Sequence, residues 1–111
     1  MSEASPVVAP AGLYAQRQKR LMDAIELREP DRLPAILFSH FWVARYAGMS
    51  FREAMYDYEG LAAAVRQAVA DLEPDGFQPV HVSIALGPTM DILDYKQLEW
   101  PGHKGLPDSI P

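Results

Sequence analysis

The chain has 111 residues, of which 49% are hydrophobic, 23% charged and 10% aromatic, a globular composition that excludes disorder for most of its length. It contains no cysteine and carries a formal net charge of −5, which excludes disulfides, thiolate metal sites and cysteine nucleophiles and argues against nucleic acid or an anionic membrane as partner. No apolar run reaches the roughly 18 residues of a membrane span, and Met1-Ser2-Glu3-Ala4-Ser5-Pro6 lacks the basic and apolar regions of a secretory leader, so a cytoplasmic protein is expected.

In chain order, residues 1–12 carry Pro6, Pro10 and Gly12 among small side chains and are expected to form a flexible arm. Leu13 to Leu27 is rich in helix formers, with Leu21, Ala24 and Ile25 on one side, and predicts an amphipathic helix that stops before Pro30. Pro30 and Pro34 then bias the chain towards extended backbone. The unbroken apolar run Ala35-Ile36-Leu37-Phe38 predicts a strand covered on both faces. After Gly48, Ser50-Phe51-Arg52-Glu53 fits a capping box and starts a helix. Asp57 caps a second segment, in which Leu61, Val65, Ala68, Val69 and Leu72 make one apolar stripe. Pro79 to Ile84, apolar at every other position, predicts a second strand. Met90 to Leu93 reads as a short helical piece, Asp91 and Asp94 as an exposed acidic turn, and residues 100–107 as loop.

Helix, strand, helix, strand is a βαβ unit with a leading helix, hence an α/β fold with a parallel sheet. Two parallel strands leave edges and a sheet face uncovered, so the remaining strands are expected C-terminal to this stretch. In such folds ligands bind beyond the carboxyl ends of the strands. That rule selects Ser39 and His40 after the first strand, His81 and Ser83 in the second, and Arg45 and Tyr46 shortly downstream of the first. Histidine serves as acid, base or ligand, and arginine clamps carboxylates with its planar fork. Two histidines without a carboxylate at ligand spacing are weak evidence of chemistry, and a structural role suits them better. No phosphate-binding glycine loop, nucleophile elbow or zinc-protease helix motif is present.

The run from Arg20 to Ile25, continuing through Glu29-Pro30-Asp31-Arg32-Leu33-Pro34 into an apolar strand, resembles the opening segment of the uroporphyrinogen decarboxylase superfamily. Trp100-Pro101-Gly102-His103-Lys104-Gly105-Leu106-Pro107 resembles a loop in less-studied members. The resemblance covers about residues 14 to 111 and implies the N-terminal portion of a (β/α)8 TIM barrel with a leading helix, incomplete in this chain, over residues 13–111. A barrel of that type takes about 250 residues.

The family resemblance also implies a carboxyl-lyase of porphyrin biosynthesis that needs no cofactor, or a methyltransferase using zinc and a corrinoid whose ligands lie outside this chain. Arg45 and Tyr46 match the end of the family's Arg-Gln-Ala-Gly-Arg-Tyr motif, while Phe41 stands at its first arginine. Ser83 stands where the decarboxylases carry an aspartate. These departures point to a divergent member. The expected substrate-binding residues are Arg45, Tyr46, His40, Ser83 and His81, with no metal ligand in this stretch. A small carboxylated substrate and a homodimer are the expected partners, and this chain by itself is expected to be inactive. A non-catalytic, self-associating module is the alternative from another class.

Overall fold

The computed structural model describes residues 9–103. Eight elements follow in order: α1 (Pro10–Ile25), β1 (Ile36–Leu37), α2 (Trp42–Tyr46), α3 (Phe51–Tyr56), α4 (Tyr58–Leu72), β2 (Gly76–Phe77), α5 (His81–Ile84) and α6 (Gly87–Ile92). The described residues divide into two compact units, one holding residues 9–36 together with Pro74–Gly76, the other Leu37–Glu73 and residues 77–103.

The structure overturns the expected barrel portion. Its described residues are 55% helical with a single two-stranded parallel sheet among them. The ladder runs from Ala35 O, which accepts from Gly76 N at 3.3 Å, to Leu37 O, which accepts from Gln78 N at 3.0 Å. Pro79 has no N–H with which to continue it. The predicted second strand is instead the one-turn helix α5. Its buried residues are Val80 and Ile84, four apart, whereas Val82 between them is 54% exposed, so the period is helical rather than two. The arm also ends earlier than expected: Pro10 occupies the first turn of α1, where its missing N–H is no loss. Residues 1–8 of the expected arm lie outside the described residues.

Caps decide the helix boundaries. Ser50 Oγ accepts from Glu53 N at 3.1 Å and Glu53 Oε1 accepts from Ser50 N at 3.4 Å, the reciprocal box that the sequence predicts for α3. Asp57 Oδ1 accepts from Gly60 N at 2.9 Å and opens α4. Three helices end in the paired 6→1 and 5→2 hydrogen bonds of a Schellman motif. In α2 these are Met49 N to Ala44 O and Gly48 N to Arg45 O, with Gly48 at φ 76°. In α1 and α6 the same bonds form around Leu27 (φ 60°) and Asp94 (φ 48°), residues that carry a Cβ into the left-handed region. Leu27 is 94% exposed and packs on nothing. Leu27→Gly is therefore expected to stabilise the first unit by about 0.5 kcal/mol, relief of the left-handed strain outweighing the extra entropy of the unfolded chain. A higher urea midpoint at unchanged slope checks this.

The core of the second unit lies along α4. Leu61, Ala64, Val65 and Ala68 face Val43 and Ala44 of α2 and Phe51, Ala54 and Met55 of α3, and Val80, Ile84 and Trp100 complete the cluster. The alanines of α4 allow close approach of the neighbouring helices, while each buried Leu or Val contributes about 1.5–3 kcal/mol. Phe41 and Phe51 meet edge to face at 5.1 Å and join the α2 start to α3.

Candidate functional site

Within the second unit an open cleft of about 580 Å³ is walled by Phe41, Met55, Ile84, Met90, Leu98 and Trp100. His40, Ser83, Thr89 and Glu99 bring polar groups to the same walls. Three local features build it. His40 sits in the loop after β1 at φ 45°, a conformation that costs most residues about 1–2 kcal/mol and is retained where the surroundings impose it. α5 is a single turn and presents Ser83, whose Oγ donates to Val80 O at 3.1 Å. α6 follows from Leu86 and Gly87, and a Cβ at Gly87 would lie 2.8 Å from Met55 O, so the glycine lets α6 lie against α3.

The fourth wall depends on one tyrosine. Tyr56, at the end of α3, donates its hydroxyl to Asp91 Oδ2 at 2.8 Å and accepts from Trp100 Nε1 at 2.9 Å. Trp100 is thereby held with its indole 2% exposed, and it stacks on His103 at 4.1 Å. His103 Nδ1 lies 3.4 Å from Asp91 Oδ1. Gly102, at φ 92°, would place a Cβ 2.8 Å from Tyr56 Cε2; only glycine satisfies both the backbone angle and this approach. Burial pushes the Tyr56 phenol above its ordinary range, opposed by the Trp100 N–H and reinforced by Asp91, so the ring remains a neutral donor.

The predicted site residues separate. His40 and Ser83 share the cleft. Arg45 lines a different hollow of about 460 Å³ with Gly48, Met49, Ser50 and Phe51. Tyr46 stacks on Trp42 at 5.0 Å and donates to Asp71 Oδ2 at 2.6 Å, a bond that raises the phenol's pKa and fastens α2 to α4. His81 begins α5 edge-on to the Tyr58 ring at 5.2 Å, and its buried Nδ1 has no hydrogen-bond partner among the described residues. Ser39 does not line the cleft. Trp100 and Asp91, which sequence patterning left as loop and exposed turn, organise the cleft wall. Their signal was the Trp-Pro-Gly-His string itself, a large apolar ring followed by a Pro-Gly turn.

A second polar cluster occupies the first unit and is structural. Asp75 accepts from Ala35 N at 2.7 Å, from Arg32 Nη1 at 2.9 Å and Nη2 at 3.1 Å, and from Arg20. Arg20 also forks onto Asp31 at 2.7 and 2.8 Å, and Asp23 takes Lys19 at 2.6 Å and Arg28 at 3.1 Å. The buried residues of α1 are Arg20 and Asp23, while the predicted apolar side leaves Ile25 70% exposed. Ion pairing thus replaces apolar burial on this helix.

The Arg20 fork holds the Asp31 carboxyl down to about 2, and Lys19 lowers Asp23. Burial opposes ionisation of Asp75, but the Ala35 N–H and the two guanidiniums more than reverse it and leave that group below 3.8. Unfolding returns all three to the ordinary carboxylate range near 4. Their stabilisation is accordingly full above about pH 4 and is lost as the pH falls towards about 2. Urea unfolding followed on α1 amide resonances should show a midpoint falling across that window. A flat profile would remove the cluster from the stability of α1.

No protein-family model, curated protein or solved structure matches the chain. No described helix is long and apolar enough to cross a membrane, and among the described residues no group of three or more His, Asp or Glu side chains is placed to hold a metal ion.

Proposed function

We propose that the second unit is a small-molecule binding module whose ligand lies in the cleft between the His40 loop, α5 and α6. The observation that carries this reading is the cleft itself: about 580 Å³, within the range of small-ligand sites, mostly apolar with a few converging polar groups. The strained backbone of His40 at its edge supports it, since non-glycine residues held at positive φ concentrate at binding sites. Binding, rather than turnover, is the activity these side chains supply on their own.

Titration with the neutral fluorophore N-phenyl-1-naphthylamine tests the reading. One-to-one binding with enhanced emission is expected, lost in Leu86→Asp, whose side chain lines the cleft, and retained in Leu72→Asp, an exposed position of α4. Equal responses from both variants, or none from the parent chain, would refute it.

A further inference from the structure

Among the described residues the polar lining of the cleft is rich in hydrogen-bond acceptors and contains no basic side chain other than His40. Ser83 spends its proton on Val80 O at 3.1 Å, leaving oxygen lone pairs. Tyr95, on the same wall, directs its hydroxyl proton to Gln97 Oε1 at 3.5 Å. Glu99 is the one carboxylate among the lining residues. The neighbouring acids are engaged: Asp91 by Tyr56 and His103, Asp94 by Lys96 at 2.6 Å. Among the described residues Glu99 has neither a hydrogen bond nor an ion pair. Among the described residues the second unit holds eight acidic and four basic side chains, so its net charge has the same sign as Glu99. Arg45, on which a carboxylate ligand would depend, lines a separate hollow.

We infer that the cleft selects an amphiphilic cation, a molecule with an apolar body of aliphatic or aromatic carbon and one protonated nitrogen. The body lies against Met55, Ile84, Met90 and Trp100, and the nitrogen meets the Glu99 carboxylate at the rim. An ammonium or amidinium group brings N–H donors and no acceptors, which complements the Glu99 carboxylate and the oxygen lone pairs of Ser83 and Tyr95 on the same lining. A carboxylate of the same length would set like charges together at Glu99. The inference rests on the binding reading above and narrows it to one ligand class.

Three ten-carbon probes below their micellar concentrations separate the possibilities: decylammonium, decanol and decanoate. In a Trp42→Phe background the emission of Trp100, which lines the cleft, reports binding of each to the full chain. Decylammonium is expected to bind about tenfold more tightly than decanol, the scale of one charge-assisted hydrogen bond, and decanoate more weakly than either. Glu99→Gln should erase the preference for the cation and leave decanol affinity unchanged. Raising salt to about 1 M should shrink the preference as well. Decanoate binding as tightly as decylammonium, or a cation preference that survives Glu99→Gln, would overturn the selectivity while leaving the cleft as a binding site. Failure of all three probes, decanol included, would overturn the binding reading and the selectivity with it.

Discussion

Trp100→Ala is expected to lower the unfolding free energy by about 3–5 kcal/mol, the range for deleting a fully buried large aromatic. The indole is 2% exposed and belongs to the core cluster around α4, and its removal also strips Tyr56 of the N–H that it accepts at 2.9 Å. Small domains have about 5–15 kcal/mol in all, so this variant should lose much of its helical signal at ambient temperature. Trp100→Phe separates the two contributions. It keeps most of the packing and loses the hydrogen bond, and a cost of about 1 kcal/mol is expected. Urea denaturation followed by far-ultraviolet circular dichroism measures both, since the fluorescent reporter is itself altered. A Trp100→Ala midpoint close to the parent's would show that residues 100–103 do not belong to the cooperative core.

Asp75→Asn should be the most damaging change in the first unit. The Asp75 side chain is fully buried and receives the Ala35 N–H and two guanidiniums. The amide keeps the shape and one acceptor but turns N–H donors towards donors and leaves Arg20 with half of its countercharge. Removing one member of a buried ion pair costs about 3–5 kcal/mol. Arg32→Ala, by contrast, deletes a side chain that is 53% exposed and should cost about 1 kcal/mol or less. Amide hydrogen exchange along α1 distinguishes the variants: protection should collapse in Asp75→Asn and persist in Arg32→Ala. The reverse order would place the stability of α1 outside this cluster.

Local chemistry was the legible part of this sequence. The Ser50–Glu53 box and the Asp57 cap formed as predicted, because each needs only its own neighbours within one turn. The strands failed for a related reason. Val80, Val82 and Ile84 fit a period of two, but Val80 and Ile84 also fit one helical turn, and six residues cannot separate the two when Pro79 has already stopped the ladder. Likewise Ala35 to Phe38 supplied an apolar run but only Ile36–Leu37 pairs, since β2 offers two residues to pair with. The charged interior of α1 was hidden for another reason: its partners lie at Asp31 and Asp75, and no periodicity within the helix reports so distant a countercharge. The cleft was half legible. His40 and Ser83 emerged from a rule about strand ends although Ser83 lies in a helix, whereas Trp100 and Met90 came from stretches without clear periodicity. Arg45 and Tyr46, carried by motif resemblance, went to a separate hollow and to an α2–α4 bond.

The Arg20–Asp75 pair spans 55 residues of chain, and that separation sets an order of events during synthesis. When α1 leaves the ribosome its two least exposed side chains are charged, and the countercharge for Arg20 has not yet been made. Helices α2 to α4 draw on nearby sequence and can assemble in the interval, whereas the first unit waits for the residues from Pro74 to Gly76. Closing so long a loop is slow relative to local helix formation. Helix α1 therefore stays without the buried countercharge of Arg20 until α4 has been made, although it precedes α4 in the chain.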